Sequence, residues 1–147
     1  MRDMISNMQA VHLGNVTVDG TTPATSRYVD LKAFGACTIV VVNNTVTDAG
    51  TAAGFTVTLQ ESADTTGSAA DTVATSDTVG AANTVAVTSD AAGDSIAGAF
   101  AYLGTERYVG ISVTGTAGSD ADISVYAILG KPHKAATTFI GTAVART

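Results

Sequence analysis

Few side chains in this sequence are of the types that carry out catalysis, and their spacing matches no familiar site. The chain has one cysteine, Cys37, and two histidines, His12 and His133, which lie near opposite ends. One thiolate and two distant imidazoles do not supply the four ligands of a zinc site. A Ser-His-Asp triad needs a histidine that the scaffold holds between its partners, whereas we expect both histidines to face solvent outside the core. The sequence therefore predicts neither a zinc site nor a catalytic triad.

Cys37 opens the largely apolar run CTIVVV at positions 37–42. A reactive thiol needs electropositive, partly exposed surroundings, so we interpret Cys37 as a small, buried hydrophobic residue. The phosphate-binding patterns G-x-x-x-x-G-K-[ST] and G-x-G-x-x-G and the nucleophile motif G-x-S-x-G do not occur in the sequence. We therefore expect that the protein is not an enzyme and has no cofactor.

The aspartates are the remaining candidates for chemistry, because several fall in segments that we interpret as loops. Carboxylate oxygens in loops are the ligands that calcium uses, but the sequence has no D-x-[DN]-x-[DN]-G run. Aspartate also occurs in turns because its side chain accepts hydrogen bonds from nearby backbone N–H groups. We favour this turn-capping role over calcium binding. The aspartates concerned are Asp64, Asp71, Asp77, Asp90, Asp94, Asp120 and Asp122.

The composition bounds the fold class and excludes some partners. The 147 residues fit one domain, and they are 46% hydrophobic but only 5% aromatic, with no tryptophan. Abundant threonine, valine and glycine disfavour helices. The net charge is −6 and the seven basic residues are scattered, whereas proteins that bind nucleic acid cluster theirs. No apolar run approaches the roughly 20 residues of a membrane span, and the amino terminus lacks the continuous apolar stretch of a signal peptide. We expect no nucleic-acid partner, no membrane partner and no export.

Residues 107–130 give the clearest structural prediction. Apolar residues alternate with small or polar ones at 109–114 and again at 123–129. This pattern predicts two β-strands that each turn one face toward a core. The connection GTAGSD at 115–120 is rich in turn-forming residues. We predict that the two strands form a β-hairpin.

Similar patterns predict further strands along the chain. The cleanest alternation is FTVTLQE at 55–61, and the run 39–42 is apolar at consecutive positions, which suits a central strand covered on both faces. In the strand 96–103, we expect Ile96, Phe100 and Tyr102 to share one face. Other strands are predicted at 27–32, 37–43 and 84–88, with a short one near 72–74. We predict loops at 44–54 and over most of 62–80.

About eight short strands with regularly spaced turns are typical of an all-β domain, namely an antiparallel β-sandwich or jelly-roll-like fold. We divide the chain into an N-terminal arm (1–26), a β-sandwich core (27–130) and a C-terminal tail (131–147). Both arms are predicted to be extended, and we expect removal of residues 1–26 to leave the core folded.

Four stretches together resemble a known family. They are RYVDLK at 27–32, FTVTLQES at 55–62, ERYV at 106–109 and AILGKPH at 127–133. Their order and spacing are similar to those of head decoration (cement) proteins, which tailed bacteriophages encode beside the major capsid protein. The resemblance covers residues 27–133. The 62–93 region is longer than in that family.

This resemblance implies a structural virion protein that stabilises the capsid by bridging capsomers. It implies a homotrimer on the capsid exterior, assembled in the host cytoplasm, with the major capsid protein as partner. We hypothesise that the arm and the tail contact the capsid or neighbouring copies. The residues expected to make these contacts are Arg2, Met4, Ile5, Met8, Lys131, His133, Lys134, Phe139, Ile140 and Arg146.

Two alternatives remain open. The chain could be a tail or head-completion component, which would assemble as a ring of six or more copies. It could also be a carbohydrate-binding β-module on a virion surface. A sugar-binding module needs an exposed aromatic pair, whereas the four tyrosines lie mostly inside predicted strands.

Overall fold

The computed structural model describes residues 7–47, 54–93 and 95–132. Its ten strands form two antiparallel sheets that pack face to face, which confirms the prediction of an all-β sandwich. The described residues include no helix of the length and apolarity that crossing a membrane requires. The strands are β1 (Met8–Asp19), β2 (Ala24–Thr25), β3 (Val29–Asp30), β4 (Phe34–Thr47), β5 (Phe55–Ser62), β6 (Asp71–Thr72), β7 (Thr84–Val87), β8 (Ser95–Tyr102), β9 (Tyr108–Gly115) and β10 (Asp120–Pro132).

The first sheet has four strands in the order β1-β10-β4-β8. The second has β9 and β5 at its centre, with β2 and β3 along the free edge of β9 and β6 and β7 along that of β5. The inner faces of the two sheets meet in a core of aliphatic side chains, as the composition requires. Residues that are 0% exposed there include Ile39, Val57, Leu59, Ile111, Ile123 and Val125.

The predicted hairpin is wrong, because β9 and β10 lie in different sheets. The connection between them crosses the end of the sandwich. Its Ser119 hydroxyl and Thr116 N–H both donate to the carbonyl of Gly54, at 2.7 and 3.1 Å. Each strand does bury the predicted face. Alternation tells which face is buried but not whether the next strand is a neighbour in the sheet or a partner across the core.

The prediction of an N-terminal arm is also wrong for the residues that the structure describes. β1 pairs with β10 along its whole length, and Leu13, Val16 and Val18 are buried in the core. A β-bulge between His12 and Gly14 breaks the alternation. Gly14 has φ +109°, a conformation that glycine adopts readily. The bulge hides the strand from a simple period-two reading.

β4 and the 62–93 region differ from the sequence prediction. β4 lies at the centre of its sheet as expected, but it continues to Thr47 into the segment that was predicted as a loop. Its outward residues Val40 and Val42 are only half-buried, so the expected cover on both faces is wrong. The 62–93 region holds β6 and β7, and its Val73 is fully buried beside Leu59.

Candidate protein–protein interface

The outward side of the four-stranded sheet carries an apolar surface. β10 runs along its middle, and Tyr126 and Ile128 project from it. On the flanking strands, Val40 and His12 pair directly with Tyr126 and therefore lie on the same side. We call this surface the outer face. It consists of Met8, Ala10, His12, Thr38, Val40, Val42, Ile96, Ala99, Ala101, Tyr126 and Ile128.

A β-bulge in β8 adds Ile96 to the outer face. The register between β4 and β8 shifts between Val41 and Val42, so Ile96 pairs with the outward Val42 while Gly98 pairs with the inward Val41. Ile96 is 68% exposed, whereas Phe100 on the same strand is buried. The expectation that the two side chains share a face is therefore wrong. The extra residue of a bulge reverses the side on which the following residues lie.

Tyr126 is held in place at the centre of the outer face. Its ring lies 4.9 Å from the ring of His12, centroid to centroid. The His12 Nε2 atom lies 3.1 Å from the side-chain oxygen of Asn15. Both rings remain partly open to solvent, as expected for His12. An aromatic ring that is already positioned loses little entropy when a partner covers it.

One end of the outer face is polar and acidic. The Ser124 hydroxyl donates to Asn15 at 3.0 Å and accepts from the Asn44 amide at 2.8 Å, which links three strands. Beyond this link, Asp19 pairs with Asp120 in the β1–β10 ladder. Here the expected loop location of Asp120 and Asp122 is wrong, because both lie in β10.

At that end, the Thr17 hydroxyl donates to the Asp122 carboxylate at 2.8 Å. Adjacent carboxylates on neighbouring strands repel each other. This corner of the sheet is therefore a concentrated negative patch, and we call it the acidic end.

The opposite end of β10 carries one exposed basic residue, and we call it the basic end. Met8 pairs with Gly130, and Lys131 follows at once, exposed and with φ +50°. The structure thus brings together Met8 and Lys131, which were both predicted as contact residues. The other predicted contact residues lie outside the described residues. They are Arg2, Met4, Ile5, His133, Lys134, Phe139, Ile140 and Arg146.

The outer face was not predicted from the sequence, although one signal was present. Apolar residues stand at outward positions of β4 and β10, where a solvated sheet normally carries polar ones. In β4, that pattern predicts burial from both sides. Across the middle of the outer face, none of the described residues is an Asp, Glu, Lys or Arg.

A second cluster joins the stretches that carry the family resemblance. β3 and β5 both pair with the start of β9. The Arg107 guanidinium donates to both carboxylate oxygens of Asp30, at 2.9 and 2.6 Å. These hydrogen bonds lower the pKa of Asp30 and raise that of Arg107. The Tyr28 hydroxyl donates to Gln60 at 2.8 Å. Residues from three of the four stretches, 27–32, 55–62 and 106–109, therefore form contacts that fix how these strands meet.

An open cleft of about 410 Å³ lies beside this cluster, between the start of β4 and the end of β8. The Tyr102 hydroxyl in its wall donates to the Glu61 carboxylate and accepts from the Glu106 N–H. Burial raises the pKa of Tyr102. Burial also raises the pKa of the Cys37 thiol to about 12, so the thiol stays protonated at neutral pH. Cys37 is buried, as predicted.

The loop aspartate Asp64 caps a turn, as expected. Its carboxylate accepts hydrogen bonds from the hydroxyl and N–H groups of Thr66 and Ser68. These bonds lower the pKa of Asp64 to about 2. Among the described residues, no three His, Cys, Asp or Glu side chains lie close enough together to hold a metal ion.

Comparison with known proteins identifies the fold but no family. No family model matches the chain, and no curated protein matches it. One solved structure, the PBSX exported protein XepA, aligns with a TM-score of 0.51 over 94% of this chain at 14% sequence identity. The chain spans 42% of that protein's length. At this level of identity, the likeness shows that the two chains share a fold.

Proposed function

We propose that the chain is a structural component of a phage virion and that it acts by binding other proteins, not by catalysing a reaction. Two observations support the phage assignment. The first is the family resemblance over residues 27–133. The second is the fold shared with the PBSX exported protein XepA, which is phage-related.

The outer face is the observation that carries the proposal. It is apolar across four strands, while its charged groups lie only at the two ends. Contiguous exposed apolar surface on a folded domain marks a site where another protein binds. A rigid sandwich that presents such a face has the properties required of a structural subunit.

The specific role that we propose is capsid decoration. In this role the protein lies on the virion exterior, bridges capsomers and contacts the major capsid protein, after assembly in the host cytoplasm. The family resemblance adds the expectation of a homotrimer.

Cosedimentation with empty phage heads tests the proposal. The heads are assembled from the major capsid protein encoded beside this chain. We expect binding at a fixed ratio to the capsid subunit. Binding to isolated tails and not to heads would indicate the tail or head-completion role. Binding to neither would contradict a virion role.

A further inference from the structure

We propose that the outer face binds a second copy of this chain, face to face, around a two-fold axis that passes close to Tyr126. This inference rests on the proposed function only in treating the outer face as a protein interface. Among the described residues, five large hydrophobic side chains are exposed, and three of them lie on the outer face, namely Met8 (41% exposed), Tyr126 (38%) and Ile96 (68%). Covering them removes apolar surface from water, which favours association.

The charges at the two ends make the outer face complementary to itself. Asp19, Asp120 and Asp122 form the acidic end, and Lys131 lies at the basic end of the same strand, β10. A two-fold axis in the plane between the faces and perpendicular to β10 places each acidic end opposite the partner's basic end. An axis parallel to β10 would oppose the acidic ends, which repel. Electrostatics therefore select the antiparallel arrangement.

The spacing along β10 agrees with an axis at Tyr126. Tyr126 stands six residues after Asp120 and five before Lys131. At about 3.3 Å per residue, these separations are about 20 and 17 Å. Rotation about Tyr126 therefore brings the partner's Asp120 to within about 3 Å, along the strand, of Lys131. Tyr126 would meet its own counterpart, as an isologous interface requires.

The outer face is large enough for a stable dimer. Four strands at about 4.8 Å spacing are about 19 Å wide, and β10 extends about 36 Å from Asp120 to Lys131. The footprint is about 700 Å² per copy, close to the roughly 800 Å² per partner of specific interfaces. Two sheets that pack face to face also reproduce the geometry of an ordinary β-sandwich.

The solution mass of the full chain, by light scattering and sedimentation, tests the inference. We expect two chains per particle, or an even multiple, at concentrations up to about 100 µM. Ile96→Glu and Tyr126→Arg place charges in the apolar contact and should raise the dissociation constant at least about tenfold. Val79→Glu is the matched control, because Val79 is 61% exposed and lies outside the outer face. A cooperative urea transition in each of the three variants would confirm that they are folded.

A charge exchange tests the antiparallel arrangement. Lys131→Glu alone should weaken association, and adding Asp120→Lys should restore it, because the two positions face each other across the axis. A monomer, a mass that Ile96→Glu leaves unchanged, or an odd number of chains such as the homotrimer that the family resemblance implies would overturn the inference. A monomer that still cosediments with heads would leave the virion role intact. A dimer that binds no virion component would contradict that role and leave this inference intact.

Discussion

Alanine substitutions at three leucines test whether β1 is a strand of the folded core or a detachable arm. Leu13 in β1 is 2% exposed, Leu59 in β5 is 0% exposed and Leu103 after β8 is 61% exposed. If β1 belongs to the folded core, Leu13→Ala behaves like Leu59→Ala. If β1 were a detachable arm, Leu13→Ala would behave like Leu103→Ala. The three substitutions remove the same atoms, so the environment alone determines the difference.

The expected changes in the free energy of unfolding follow from the burial of each leucine. Truncating a buried leucine to alanine costs about 2–5 kcal/mol, the lost transfer energy plus the cavity left behind. Truncating an exposed leucine to alanine lowers the free energy of unfolding by about 0.5 kcal/mol or less. A domain of this kind has about 5–15 kcal/mol of stability in total. Leu13→Ala therefore removes a large share of it. Deleting the whole strand, with Val16 and Val18, should unfold the protein, contrary to the expectation that residues 1–26 can be removed.

Urea unfolding at one fixed protein concentration measures these effects. With a urea slope of about 2 kcal/mol per M, Leu13→Ala and Leu59→Ala should lower the midpoint by about 1–2.5 M, and Leu103→Ala by a few tenths. A fixed concentration is needed because self-association would make the midpoint depend on it. A Leu13→Ala midpoint equal to that of Leu103→Ala would refute the placement of β1 in the core.

Three further predictions concern titratable groups. Asp30→Asn should shift the urea midpoint less than Leu59→Ala does, because the Asp30–Arg107 pair is nearly half exposed. Its stabilisation exists above the usual carboxyl pKa and should fade as the pH drops, so the two proteins converge in acid. Ser68→Ala should raise the pKa of Asp64 from about 2 toward its usual range in an NMR titration, since it removes a donor; an unmoved pKa would contradict the capping role. The Cys37 thiol, whose pKa burial raises to about 12, should resist a thiol reagent until the chain unfolds. Because the unfolded thiol ionises near its usual pKa of about 8.5, stability should fall as the pH rises above that value.

Buried faces were predictable from the sequence, but strand partners were not. Alternation at 55–59, 109–113 and 123–129 correctly identified side chains that line the core. Alternation reports burial, and burial is the same for a strand paired within a sheet and for one packed across from it. The pairing of β9 with β5 depends on contacts distant in the chain, which a local pattern does not encode.

Bulges account for two further errors, the missed strand β1 and the side assigned to Ile96. Gly14 and the irregularity near Ile96 each insert a residue that shifts the period. A glycine inside an apolar stretch is a recognisable bulge signal, so β1 could have been found. Of the candidate interface, Met8 and Lys131 were predicted. The central residues, Tyr126 and Ile96, were missed because the alternation in their strands was used only to identify the side chains that face the core.

The position of β10 determines when the fold can form. β10 pairs with β1 on one side and β4 on the other, although it is the last strand described. During synthesis, β1 and β4 have no strand between them until residues 120–132 have been made. Until then, the edges of β1 and β4 that β10 will cover have no strand partner, which invites pairing with the wrong chain. A chain cut before Asp120 would lack the strand that joins β1 to β4, so it would fold only if another copy's β10 supplied that strand by exchange.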